Sequence, residues 1–181
     1  DKRIHDIGIL RWDGAKYHSA DKRAAISFLE DVDFVCGHNV IHHDMKYLLG
    51  DEVQRWQLVD TLYVSPLLFP ERPYHHLLKD DKLMNEQMNN PVNDCEKACD
   101  LLMDEIAKWK ALPVAQRFIY ATLLHDVTEF AGFLAMVDAE VCDETTLVEH
   151  IHTAYDGRIC RHADLAAIIE QQPVELAFAL A

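Results

Sequence analysis

The sequence predicts an α/β fold carrying an all-helical extension, and three observations lead there. Strand-length apolar runs, Phe34-Val35-Cys36 and Gln57-Leu58-Val59, alternate with stretches whose apolar residues recur at helical spacing. Asp13-Gly14, a strong short turn signal, stands between two runs suited to a hairpin. Beyond Leu112-Pro113 every apolar pattern is helical. An antiparallel hairpin at one edge makes the expected sheet mixed rather than purely parallel.

Taken in order, Ile4 to Trp12 and Ala15 to His18 form the expected hairpin, with Ile7, Ile9 and Leu10 apolar. Asp21 is placed to cap a helix from Lys22 to Glu30, whose buried stripe is Ala25, Ile26, Phe28 and Leu29. Asp33 to Cys36 is the next strand, ended by Gly37. Asn39 is the natural cap of a helix bearing Val40, Ile41, Tyr47 and Leu48 at helical period. Gln57 to Asp60 is a short strand, and Asp60 is expected to cap the helix that begins at Thr61, the alternative being a carboxylate that stands behind a metal ligand. Pro66, Pro70 and Pro73 bracket an irregular loop, and Tyr74 to Leu78 begins a short helix. Lys79 to Asn90 is polar without a period, as expected of a loop at the mouth of a site.

From Pro91 a long helix keeps Val92, Cys95, Ala98, Cys99, Leu102, Met103, Ile106 and Trp109 on one face. Leu112-Pro113 then marks a boundary, giving an α/β unit over 1–110 and a helical unit over 111–181. Val114 to Asp138 reads as a long helix broken near Gly132. Asp143 or Thr145 starts another helix running through Ala154, Asp156-Gly157 makes a turn, His162 to Gln171 is helical, and Pro173 opens the last helix.

The totals bound the classes. Half of the 181 residues are hydrophobic, enough for a substantial core. With no apolar run of membrane-spanning length, no signal-peptide layout and no initiating Met, the chain reads as a soluble piece of an intracellular, cytoplasmic protein. The five cysteines form no paired metal spacing, and Cys95 and Cys99, one helical turn apart, are expected to face the core. A formal charge of −14 argues against a tight non-specific DNA-binding module. It does not exclude a nuclease, whose own site is a cluster of carboxylates.

One residue breaks the pattern. Asp44 lies three residues after Ile41 and four before Leu48, which puts a carboxylate on the helix face expected to be buried. Burial of a carboxylate is costly without a partner, a hydrogen bond or a metal, so the placement implies a use.

Gly37-His38-Asn39 followed by Asp44 resembles the second motif of the DEDD 3′→5′ exonucleases, which are built on the RNase H-like fold. Two later segments resemble the family in order: Leu58-Val59-Asp60-Thr61-Leu62, and Asn93-Asp94-Cys95-Glu96-Lys97-Ala98 at the start of the long helix. The resemblance covers roughly residues 1 to 110 and implies an RNase H-like mixed sheet flanked by helices. It further implies Asp44 and Asp94 as catalytic, metal-binding carboxylates, His38 and Asn39 as substrate-binding residues, and a two-ion Mg²⁺ or Mn²⁺ site acting on single-stranded DNA 3′ ends, with RNA a possible substrate. Residues 111–181 resemble the helical linker to a RecQ-type helicase module in the same polypeptide.

The chain departs from the family in two places. The family's first Asp-x-Glu strand has no counterpart before Ile4, so the ion site would be incomplete and this chain alone inactive. At the third motif Asn89 and Asn90 stand where a His or Tyr is usual, and Asn cannot take up a proton at neutral pH. His75 or His76 could substitute as base. His38 and His42, four apart, also admit a zinc reading, though no third ligand of recognised spacing follows. Three functions therefore remain open: an exonuclease domain, a degenerate RNase H-like module that binds nucleic acid or a partner, and a helical docking domain on an α/β scaffold.

Overall fold

The computed structural model describes residues 6–48, 55–75, 77, 90–160 and 162–181. Strands β1 (Ile7–Leu10) and β2 (Lys16–Ser19) pair antiparallel with Ile9 opposite Tyr17. Gly14 turns the hairpin at a φ of 88°, and the Asp13 carboxylate accepts the Ala15 N–H at 2.9 Å. Asp21 caps α1 (Lys22–Phe28) by accepting from the Arg23 and Ala24 amides, and α1 turns Ala25 and Leu29 into the core.

β3 (Phe34–Gly37) and β4 (Gln57–Asp60) pair in parallel, with Val35 opposite Leu58. A five-residue wide turn, Val40–Asp44, separates β3 from the short α2 (Met45–Leu48). From β4 the chain enters α3 (Thr61–Leu68), which runs through Pro66 where a loop was expected. Only one intrahelical N–H is lost there, in a helix whose Val64, Leu67 and Leu68 are buried. The helix expected at Tyr74–Leu78 and the polar tract after it fall largely outside the described residues.

α4 (Pro91–Ala111) is the longest element. Asn90 caps it by accepting the Val92 N–H at 3.0 Å, and Pro91 occupies the first helical position. Its buried face is Val92, Ala98, Leu102, Glu105 and Trp109, whereas Met103 points outward at 46 % exposure. The stripe is thus narrower than expected and contains an acid.

Leu112-Pro113 is a turn between two helices that share one core. Beyond it lie α5 (Val114–Leu124), α6 (Thr128–Met136), α7 (Glu144–Ala154, capped by Asp143), α8 (Leu165–Gln171, capped by Asp164) and α9 (Pro173–Leu180). The break expected near Gly132 lies instead at His125–Val127, and Gly132 sits inside α6. There a glycine is required: a Cβ would collide with the Leu58 carbonyl, because α6 lies backbone to backbone against β4. One buried cluster joins Val59, Leu102, Trp109, Ile119, Phe133 and Ile151. The hydroxyls of Tyr120 and Tyr155 both donate to the Leu180 carbonyl, at 3.1 and 2.6 Å, fastening α9 to α5 and α7.

The architecture is mixed α/β and predominantly helical, but the single mixed sheet expected from sequence is replaced, among the described residues, by two separate two-stranded ladders. β1 and β3 do not pair with each other. Among the described residues no helix is long and apolar enough to cross a membrane.

Candidate functional site

A cavity of about 1540 Å³ lies between the two ladders, and Gly37, His38, His43, Asp44 and Asp94 stand on its wall. The strands β3 and β4 bring the first of these into place. At the end of β4 the Asp60 carboxylate, fully buried, accepts three backbone N–H bonds: from Asn39 at 2.7 Å, Ile41 at 3.1 Å and Leu62 at 3.1 Å. One acid thereby caps α3 and holds the turn after β3. The sequence exposes only the first of these roles, because the second depends on the parallel register that sets Gly37 beside Asp60.

Asn39 does not cap by its side chain. Its φ of 67° is left-handed, a conformation Asn tolerates, and the side chain makes no capping bond. Asp60 supplies the carboxylate that the amides of this turn need. Asn39 stands outside the cavity wall; His38 is on it. His38 Nδ1 lies 2.9 Å from Thr61 Oγ1, which lies 3.3 Å from the Gly37 carbonyl. A hydroxyl has one hydrogen to give, so with Gly37 as its acceptor the histidine carries its proton on Nδ1 and donates to Thr61.

Asp44 is not buried as the helical spacing implied. The wide turn Val40–Asp44 shifts the helical phase, so Met45 and Leu48 face the core and the Asp44 side chain is 54 % exposed at the cavity rim. Crowding by the cavity walls raises its carboxyl above the ordinary range. Its bond to His43 Nδ1, 3.0 Å long, opposes that shift, and the charges of Asp60 and Asp94 add to it. Asp94, in the first turn of α4, is exposed and lies where the helix dipole favours an anion. Beside it the Cys95 thiol donates to the Gly8 carbonyl at 3.3 Å. Burial pushes that thiol up to about 11, and the nearby charges of Asp44 and Asp94 add to the effect. Two acids fifty positions apart in the chain thus share one cavity and one electrostatic neighbourhood.

The histidines proposed as substitutes go elsewhere. His75 is tied through Nδ1 to Ser65 Oγ at 2.9 Å and does not line the cavity; His76 and Asn89 lie outside the described residues. Asn90 is engaged in capping α4. His42 bonds Glu129 at 2.9 Å and packs edge-on against Tyr63, so His38 and His42 serve different partners.

Asp44 and Asp94 offer hard oxygen ligands of the kind Mg²⁺ and Mn²⁺ take. Among the described residues no three His, Cys, Asp or Glu side chains converge closely enough to hold a metal ion. The described residues alone therefore do not make up a two-ion site.

Glu105 was not among the residues singled out from sequence. It falls on the Ala98, Leu102, Trp109 stripe at spacings of four, three and four, a signal that could have placed it in the core. It is fully buried and neither carboxyl oxygen has a hydrogen-bond partner. Burial first, then the charge of Asp60, pushes it up to about 9, with Arg72 opposing, so it is neutral at physiological pH.

Compared with protein-family models, with curated proteins and with solved structures, the chain finds no match.

Proposed function

We propose that this chain is the exonuclease-like part of a larger DNA-processing polypeptide, with an RNase H-like arrangement in which Asp44 and Asp94 supply half of the acid cluster for Mg²⁺ or Mn²⁺. The observation that supports the reading is that both carboxylates, from α2's entry turn and α4's first turn, line one cavity, with Asp94 near enough for its charge to raise the Asp44 carboxyl. The order of the described elements is compatible with it: hairpin, helix, strand, acid-bearing turn leading into the short α2, strand, helix, acid-bearing helix. On this reading His38, which lines the same cavity, and Asn39 beside it meet the nucleotide, and residues 111–181 form the link to a helicase module. The substrate class on this reading is the single-stranded DNA 3′ end, with RNA as the competing substrate.

The test is a nuclease assay on the full-length polypeptide with 3′-labelled single-stranded DNA. Metal-dependent shortening that is abolished in Asp44→Ala and Asp94→Ala is expected. Shortening that survives both substitutions excludes these acids, and no shortening under any divalent ion excludes the activity.

A second reading is favoured by two specific observations. Asn90, at the family's general-base position, is committed to a helix cap, and among the described residues no third acid joins Asp44 and Asp94 in a metal-holding group. On that reading the module binds nucleic acid or a protein partner and has lost hydrolysis. The full-length assay separates them, since binding of labelled single strands without shortening belongs to the second.

A further inference from the structure

We propose that Glu129, in the first turn of α6, is a positioning residue for Asp44, so that residues 111–181 set the pose of an acid carried by the α/β part of the chain. The consequence for catalysis rests on the nuclease reading; the mechanical link does not.

The turn Val40–Asp44 is held in two halves by two different acids. At its entry the Asp60 carboxylate takes the amides of Asn39 and Ile41. The third Asp60 bond goes to Leu62, so Asp60 holds nothing in the turn past Ile41. In the exit half His42 Nε2 donates to Glu129 Oε1 at 2.9 Å, and the imidazole packs edge-on against Tyr63 with ring centroids 5.7 Å apart. The main-chain bonds of that half run from the His43 N–H to the Asn39 carbonyl at 3.0 Å and from the Met45 N–H to the Val40 carbonyl. The second of these spans five residues, the wide closure that recurs at functional sites. Asp44 follows His42 by two positions and bonds His43 at 3.0 Å, so a displacement of His42 is passed to the acid through one intervening residue.

Glu129 can act as a fixed point because its own helix is pinned. One helical turn further on, Gly132 lies against the main chain of Leu58, and Phe130 and Phe133 are buried on either side of it. The Glu129 side chain is 25 % exposed against 52 % for His42, so the acid is the more constrained partner. A negative charge in the first turn of α6 also suits the helix dipole. Both anchors of the turn therefore refer to one strand: Asp60 ends β4, and α6 lies on it. Glu129 stands outside the motif-bearing residues 1–110, which is why no motif points to it.

A half-exposed pair of this kind contributes little to global stability. Misplacing a reacting group costs far more in rate. Loss of the bond should therefore appear at the turn and in turnover while the melting temperature stays close to that of the parent.

The experiment compares Glu129→Ala, Glu129→Gln and Glu140→Ala, the last removing an exposed acid from the same helical part. Gln removes the charge and keeps an acceptor oxygen for His42. In the 181-residue chain, Glu129→Ala is expected to speed amide exchange at His43 and Met45 at least about fivefold and to leave Asn39 and Ile41 unchanged. Glu129→Gln and Glu140→Ala should stay within about twofold of the parent at all four amides. In the full-length polypeptide, assayed on 3′-labelled single-stranded DNA with Mg²⁺, Glu129→Ala should lower kcat about tenfold with KM unchanged, and Glu129→Gln should restore the parent rate. Equal effects of Gln and Ala mean that charge rather than the hydrogen bond is acting, and the proposal is overturned. Exchange that is unaltered in Glu129→Ala, or loosening that spreads to Asn39 and Ile41, overturns it as well. If the parent polypeptide does not cleave, the nuclease reading fails, and exchange at His43 and Met45 alone decides the link. Should Glu129→Ala fail to fold, His42→Phe keeps a ring against Tyr63 without the donor, and the same local loosening is required of it.

Discussion

The buried carboxylate of Asp60 accepts the backbone N–H of Asn39 at 2.7 Å, so the end of one strand fixes the turn that leaves its neighbour. Through the same side chain Ile41 and Leu62 are held as well, and the position of Asp44 follows from that turn.

Replacing Asp60 therefore tests how the site is positioned. Asp60→Ala strands three amides and is expected to destabilise the chain by about 3 kcal/mol or more, at roughly 1–3 kcal/mol for each buried donor left unmade. Asp60→Asn keeps an acceptor oxygen for Asn39 and Leu62, both served by Oδ1, and loses the bond to Ile41; about half the loss is expected. Urea unfolding of the three proteins gives the comparison, and equal losses in both variants would show that hydrogen-bond geometry is not what Asp60 provides.

Glu105 makes stability depend on pH in a direction opposite to that of a paired carboxylate. Its folded-state value is raised from 4.5 to about 9, so between those limits the folded chain holds a proton that the unfolded chain has released. Its contribution is complete below about pH 4.5 and is lost as pH rises toward 9, at up to about 1.4 kcal/mol per pH unit. Glu105→Gln keeps the shape without the charge. The difference in unfolding free energy between variant and parent should grow in the variant's favour from about pH 5.5 to about pH 8.5, and a difference that stays flat would falsify the buried neutral acid.

Much of this fold could be read from local chemistry. The Asp13-Gly14 turn, the Asp21, Asp60 and Asp143 caps, the β4 bounds and Pro173 as a helix start all follow from residue type and near neighbours in the chain. The features that could not be read were set by distant contacts. Asn39 has the composition of a cap, but the side chain of Asp60, twenty-one positions on, takes over the capping. Gly132 looks like a helix breaker and is a contact surface, because its lack of a Cβ lets α6 lie on Leu58. Asp44 falls on the buried face only if the helical period is carried through Val40–Asp44, where the turn is wider than an α-helix.

The contact at Gly132 can be tested by a single methyl group. Alanine there would ordinarily favour a helix by about 1 kcal/mol over glycine. Here its Cβ meets main chain on β4, which cannot swing aside as a side chain can. Gly132→Ala is expected to cost about 2–4 kcal/mol and to lower the melting temperature accordingly. Gly157→Ala is the control at a turn: its φ of 72° strains an alanine, but open space surrounds it, so a loss of about 1 kcal/mol is expected. Thermal melts in which the two substitutions cost the same would remove the argument that α6 packs against the backbone of β4.

Asp44 and Asp94 line one cavity, and two carboxylates without further ligands should hold a divalent ion weakly, with a dissociation constant on the order of millimolar or weaker. Mn²⁺ added to the 181-residue chain should nevertheless broaden the amide signals of Asp44 and Asp94 together, because both side chains face the same space. Either Asp44→Asn or Asp94→Asn should then weaken broadening at both positions, since each removes half of the charge that attracts the ion. His43, bonded to Asp44 at 3.0 Å, should follow the same titration, while Glu129, paired with His42, should not. Broadening at one acid alone, or a variant that leaves the other acid's response intact, would mean that the carboxylates act separately, and the shared site would lose its basis.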